Sequence, residues 1–249
     1  MAEQVCTKCD GSGWIIVERD GISGAQRCDC VDQDRARRLE DNAGIPPLYR
    51  DAFLGTFRDL GNPELVRVKN DVAAYGRDYP FALQKPGLML IGDPGTGKTH
   101  LAVAALKALL ARGHEGLFCD YQNLLDRIRS GYDASSGASD REAYRSALDA
   151  EVLLLDDLGA HRVTDWVEDT VTSIVTHRCN NKKALIVTTN LPDPDAGDAL
   201  AERSSASPGK VQYRISLAER IGVRARSRLF EMCRVVRLPA VGDYRTRRA

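Results

Sequence analysis

The chain has 249 residues, with 35 Lys and Arg against 35 Asp and Glu and an apolar fraction of 43%, enough to bury an α/β core of one or two domains. The even charge balance singles out no partner, although a local basic face suffices to hold nucleic acid. The apolar runs are too short to span a bilayer and no basic-then-apolar leader opens the chain, so a soluble, cytoplasmic protein with no membrane association is expected.

Four of the seven cysteines fall in the first 30 residues, as Cys6-x2-Cys9 and, 18 residues on, Cys28-x-Cys30. In a reducing compartment such clustering points to a metal rather than to disulfides. Cys6-Thr-Lys-Cys9-Asp-Gly-Ser-Gly13 reads as a zinc knuckle, and Trp14–Val17 with Gly21–Arg27 as a hairpin turning at Arg19-Asp20-Gly21. The hairpin would return Cys28 and Cys30 to Cys6 and Cys9, completing a closed tetrahedral Zn²⁺ site that is structural rather than catalytic. A segment this short has too little core to fold unaided, so the metal would supply much of its folding energy. A redox dithiol and unliganded cysteines are the alternatives, and the tight Cys28-x-Cys30 spacing keeps them open.

Asp34–Asn42 reads as a short charged helix, and the prolines of Ile45-Pro46-Pro47 end it and impose an extended connector. The expected organisation is a zinc-binding module over 1–31, a linker helix and connector over 32–47, and one large domain over 48–249. Pro63–Tyr79 has a helical apolar side of Leu65, Val66, Val68, Val72, Ala73 and Tyr75.

Leu88–Ile91 is a buried strand that runs straight into Gly92-Asp93-Pro94-Gly95-Thr96-Gly97-Lys98-Thr99-His100, followed by an Ala/Leu-rich helix to about Leu110. Strand, G-x-x-x-x-G-K-T turn and helix together make a phosphate-binding loop. Backbone N–H groups ring the phosphates, Lys98 reaches the β- and γ-phosphates, and the Thr99 hydroxyl ligates Mg²⁺. The whole stretch Gly92 to His100 is assigned to nucleotide binding.

Gly116–Asp120 reads as a second strand, with Cys119 in its core, and Tyr121–Ile128 as a helix. Gly131–Asp140 has loop composition, and Arg141–Ala150 returns to helix. Glu151-Val-Leu-Leu-Leu-Asp156-Asp157 is a hydrophobic strand ending in two acids. Asp156 is placed to hold Mg²⁺ and Asp157 to polarise the attacking water. A strand intervening between this one and the phosphate loop points to the P-loop class with an inserted central strand. After a helix over Asp165–Arg178, a third strand, Ala184–Thr188, leads into Thr189-Asn190, where Asn190 would sense the γ-phosphate and orient water. Pro192–Lys210 reads as a long loop around a helical turn at Ala199–Arg203. From Ser216 the pattern is apolar and basic, with Arg220, Arg224, Arg226 and Arg228 interleaved, before a last strand at Val235–Leu238. The eleven residues beyond it leave no room for a helical lid.

Four stretches in this order resemble one family: Gly92–Leu101, Leu153–Gly159, Thr188–Leu191 and Leu217–Met232. They are similar to AAA+ ATPases of the bacterial helicase-loader (DnaC-like) and transposition-helper (IstB-like) type, some of which carry a small zinc module. The resemblance implies an α/β fold, an inserted-strand parallel sheet flanked by helices, without a C-terminal lid domain. It implies ATP bound between self-associating subunits, with a neighbour's arginine reaching the γ-phosphate. The family's Ser-Arg-Leu element matches Ser227-Arg228-Leu229, which selects Arg228, with Arg220, Arg224 and Arg226 as contenders. Asp157 stands where the superfamily commonly has Glu, and the shorter acid suggests slow, switch-like hydrolysis. The implied activity is an ATP-dependent loader for a replicative helicase hexamer and single-stranded DNA. Its phosphate contacts are sought among Lys69, Arg129, Arg162, Arg178, Lys182 and Lys183. A transposition helper acting on duplex DNA and a nucleotide-gated scaffold without turnover are the competing expectations.

Overall fold

The computed structural model describes residues 5–19, 22–81, 83–130, 139–197, 201–203 and 211–244. Its centre is a five-stranded parallel sheet of β3 (Gly87–Ile91), β4 (Gly116–Asp120), β5 (Val152–Asp156), β6 (Ala184–Thr189) and β9 (Cys233–Arg237) in the order β4-β5-β6-β3-β9. Every residue of β3, β5 and β6 is buried, as expected of parallel strands covered on both faces. The strand inserted between the phosphate-loop strand and the acid-tipped strand is therefore β6. By contrast β4, which intervenes in sequence, forms the sheet edge.

Helices α2 (Pro63–Asp78) and α3 (Lys98–Leu110) cover one face. The other face carries α4 (Tyr121–Ser130), α5 (Ser139–Asp149), α6 (Asp165–Asn180), α7 (Leu217–Ile221) and α8 (Val223–Met232). Asn62 caps α2 by accepting from the Glu64 and Leu65 N–H groups, with Pro63 at the first helical position. Ser216 and Glu219 form a reciprocal capping box on α7. Gly222, at φ 83°, separates α7 from α8, so the apolar-basic stretch is two helices rather than one.

The N-terminal hairpin pairs β1 (Trp14–Arg19) with β2 (Ile22–Arg27) antiparallel, Trp14 opposite Arg27. Asp20 and Gly21 of its expected turn lie outside the described residues, as do 131–138 of the expected Gly131–Asp140 loop. The first helix, α1, spans Asp29–Asn42 rather than starting at Asp34, so Cys30 stands in its first turn. Acidic Asp29 and Asp32 suit that N-terminus, which is why charge composition alone hid the extra turn. α1 is tied to the central sheet and α3: the Phe118 N–H donates to the Ala43 carbonyl at 2.7 Å, and Lys107 Nζ lies 2.7 Å from Glu40 Oε1.

The stretch expected to hold a helical turn at Ala199–Arg203 is different. A 3-10 turn forms at Pro194–Ala196, and β7 (Ala201–Arg203) pairs antiparallel with β8 (Val211–Tyr213). Ala199 and Leu200 lie outside the described residues.

Candidate functional site

Parallel pairing brings the ends of β3, β5 and β6 to one edge of the sheet, where ligands of such sheets bind. The phosphate loop leaves β3 there. Gly95 and Gly97 take φ of 76° and 96°, a region only glycine enters freely. Side chains are excluded for space as well: a Cβ at Gly95 would meet the Asp243 carboxylate, and one at Gly97 the Phe57 ring. Lys98 is buried, its Nζ donating to the Asp93 carbonyl at 2.8 Å, and Thr96 Oγ1 donates to the same carbonyl at 2.8 Å. His100 Nε2 lies 2.9 Å from the Phe53 carbonyl, so it braces residues 53–57 across the start of α3. Pro94 is exposed at the loop's tip.

Asp156 is buried at the end of β5, accepting from Thr188 Oγ1 at 2.6 Å. Burial pushes its carboxyl pKa up, while hydrogen bonds from the Thr188 and Thr99 hydroxyls pull the other way. The Thr99 hydroxyl and the Asp156 carboxylate are thus neighbours, a hard-oxygen pair that suits Mg²⁺. Asp157 is exposed with φ 57°, and its N–H donates to Thr188 Oγ1 at 2.9 Å. That turn leaves the second acid exposed just beyond the end of β5. Asn190 is half-buried, directly beyond β6.

Two participants were given no role by the sequence: Thr188, inside a family-like stretch, and Arg214, which no motif marks. Thr188 touches both acids' residues across the β5–β6 gap. Arg214, between β8 and α7, sends Nη1 to Asp93 Oδ1 at 3.1 Å and Nη2 to the Asn190 carbonyl at 2.7 Å.

The structure separates the arginines of α7 and α8. Arg226 forks onto Asp193, both contacts 2.8 Å, with Asp193 1% exposed. Arg220 donates to the His161 carbonyl at 3.3 Å. Arg224 is exposed, and Arg228 sits on the outer surface of α8 paired with Glu231 at 2.7 Å. Among the expected DNA-phosphate contacts, Arg178 is excluded, because it is fully buried and spends its donors on backbone carbonyls. Lys183 is engaged with the Leu148 and Asp149 carbonyls and Lys69 with Asp59, whereas Arg129, Arg162 and Lys182 are exposed.

At the other end, Cys6, Cys9, Cys28 and Cys30 place their sulfurs within 4.8 Å of one another. The Cys6–Cys28 and Cys9–Cys30 separations are 3.9 and 3.5 Å, bracketing the edge of about 3.8 Å that a tetrahedron with Zn–S bonds near 2.3 Å requires. Burial raises the Cys9 thiol, but hydrogen bonds from the Gly13 and Gly11 backbone and from Cys30 and Cys28 outweigh it, bringing its pKa to about 7. The donor set fits Zn²⁺.

No helix among the described residues is long and apolar enough to cross a membrane.

Residues 76–204 match the family described as IstB-like ATP binding protein. YqaM of Bacillus subtilis (strain 168) is 28% identical over 197 residues, 76% of this chain and 59% of that protein, so the chain spans less than two thirds of this relative. The replicative helicase loader DnaC of Escherichia coli (strain K12) is 23% identical over 178 residues, 69% of each chain. Among solved structures, that of a DnaC helicase loader superposes with a TM-score of 0.61 at 31% identity, over 78% of this chain and all of that one.

Proposed function

Because the chain belongs to the IstB-like ATP-binding family and is similar to a DnaC helicase loader, we propose that it is a slow, switch-like AAA+ ATPase that loads a replicative helicase onto single-stranded DNA. The observation that carries the reading is the convergence of Lys98, Thr99, Asp156, Asp157 and Asn190 at one sheet edge, in a chain similar to DnaC loaders. ATP is the substrate, cradled by the backbone of Gly92 to Lys98, with Phe57 and His100 flanking the loop.

Lys98 exchanges the Asp93 carbonyl for the β- and γ-phosphates when ATP enters. Thr99 and Asp156 would hold Mg²⁺, which supplies neutralisation of the charge on the phosphate oxygens. Asp157 polarises the attacking water and Asn190 orients it against the γ-phosphate. Arg228, partly exposed on α8, reaches the site of a neighbouring subunit and stabilises charge on the transferred group. The zinc module is a metal-stapled docking unit for the helicase, its Trp14 and Ile16 side chains exposed on one face of β1.

The match to the IstB-like family supports a second reading, a transposition helper that coats duplex target DNA and recruits a transposase. Size-resolved mass analysis with ATP and Mg²⁺, adding single-stranded DNA, duplex DNA and replicative helicase in turn, separates the two. A stoichiometric helicase complex that dissociates on hydrolysis is the expected result. Filaments on duplex DNA with no helicase complex would transfer the assignment to the second reading.

A further inference from the structure

We infer that Arg214 is a positioning residue of the ATPase centre, a guanidinium within the same subunit that clamps the sensor-strand tip to the phosphate loop and neutralises the acid built into that loop. The inference rests on the proposed ATPase function and assigns a role to a residue no motif marks.

The need for a clamp follows from the sheet. β3 and β6 pair in register as far as Ile91 opposite Thr189, and the Gly92 N–H still reaches the Thr189 carbonyl at 3.3 Å. Beyond that the two chains part. Asp93 carries the chain into the phosphate loop and Asn190 leaves the sheet, yet the distance between them sets where the Asn190 amide stands relative to a phosphate in the loop. Arg214 spans this gap with one arm on each residue, 3.1 Å to the Asp93 carboxylate and 2.7 Å to the Asn190 carbonyl. It grips Asn190 by the backbone carbonyl, so this contact does not consume the side-chain amide. Asp93 is also the residue whose carbonyl receives Lys98 Nζ at 2.8 Å. One arginine therefore touches the residue common to the phosphate-binding lysine and the loop, and also the backbone of the sensor.

Electrostatics gives the second reason. A carboxylate at the second position of a loop that must bind a polyanion opposes its ligand. The Arg214 side chain is 27% exposed, partly shielded from water, so its charge offsets that of Asp93 more effectively than a fully solvated cation would. A guanidinium suits both tasks, because its planar fork meets two acceptors in fixed geometry while a lysine ammonium is a single point charge.

Arg214→Ala, Arg214→Lys and Asp93→Asn/Arg214→Ala would be compared with the native full chain. Melting temperature, ATP turnover and the affinities of fluorescent ADP and a non-hydrolysable ATP analogue would be read for each. For Arg214→Ala the expected result is a native melting temperature, a kcat lower by about tenfold or more, as for a lost hydrogen bond to a charged group, and a reduced preference for the triphosphate. Arg214→Lys should recover the triphosphate preference but not kcat, and the double variant likewise. The inference is overturned if Arg214→Ala keeps native kcat and native preference, or if its losses simply track a fall in melting temperature. Should the native chain show no turnover, the ATPase reading fails, and the preference between the two nucleotides still decides whether Arg214 acts.

Discussion

Thr188 and Asp156 share a hydrogen bond of 2.6 Å in which the threonine hydroxyl donates to the buried carboxylate, while the same oxygen accepts the Asp157 N–H at 2.9 Å. One side chain of β6 thus anchors the Asp156 carboxylate and the Asp157 backbone at the end of the neighbouring strand. Thr188→Val keeps the shape and removes both bonds, leaving Asp156 and the Asp157 N–H each short of a partner. The expected cost is about 1–3 kcal/mol of folding stability together with weaker Mg²⁺-dependent nucleotide binding. Urea denaturation and nucleotide titration with and without Mg²⁺ check it; a variant of native stability would show that the pair contributes little.

Asp156 also sets a pH dependence. Burial raises its pKa above the ordinary value of 3.8, so the folded chain binds this proton more tightly than the unfolded chain does. The group's contribution to stability therefore declines as pH rises from the unfolded value through the raised folded one. Asp156→Asn, which retains an acceptor for Thr188, is expected to melt at a higher temperature than the native chain at neutral pH without Mg²⁺. The gap should close as pH falls below the carboxylate range. A less stable Asn variant at neutral pH would mean that hydrogen bonds from Thr188 and Thr99 outweigh desolvation.

The zinc module gives a prediction separable from catalysis. Cys28 is 1% exposed, and the hairpin above it has few buried apolar residues of its own. Cys28→Ser, or chelation of the native chain, should release one Zn²⁺ per chain and open the hairpin to protease. ATP binding should persist, because the phosphate loop packs on a separate core. Retention of protease resistance after full metal removal would show that contacts to α1 suffice to hold the hairpin.

Arg178 is a structural residue. It donates to the Ala147, Ala150 and Glu151 carbonyls at the end of α5 and to that of Ala184 at the start of β6, satisfying groups that a helix end leaves open. Burial lowers its pKa to about 10, still far above neutrality, so the charge is retained. Arg178→Met should cost several kcal/mol, about 1–3 for a buried carbonyl left without a partner, without changing the salt dependence of DNA binding. A native unfolding midpoint with weakened DNA binding would reverse that assignment.

The contrast between Arg178 and the phosphate loop shows what local sequence can carry. A strand, a glycine-rich turn and a helix are contiguous, so Leu88 to Leu110 is legible, as are the acids ending β5 and the four-cysteine cluster. Charge alone misassigns Arg178, although it falls three residues after Val175 and four after Ile174, on the buried side of α6. Periodicity holds the signal that residue type obscures. Arg214 has no such signal: it meets a partner 121 residues away, a proximity set by sheet order alone. The hairpin of β7 and β8 is hidden by its short strands in a loop-like composition.

Among the four arginines of α7 and α8, folding already employs Arg226, whose fork covers the buried Asp193 and whose guanidinium lies 4.5 Å from the Phe230 ring centre. Arg226→Ala should therefore unfold more readily, by about 3 kcal/mol, because it removes the forked cation from a buried carboxylate. Arg228 pairs with Glu231 in a partly exposed i,i+3 contact of the kind that contributes little to stability, and it also lies beside the Cys179 thiol. Arg228→Ala should keep the native melting temperature, bind ATP and lose turnover. If its partner phosphate belongs to a neighbouring subunit, the loss can be complemented. Lys98→Ala supplies an intact Arg228 but a dead phosphate loop, and Arg228→Ala supplies the reverse. Each alone should be inactive, whereas a mixture should recover a fraction of native turnover that rises with total protein concentration as mixed assemblies form. A mixture as inactive as its components, at concentrations where both assemble, would place the essential arginine elsewhere, with the exposed Arg224 next in line.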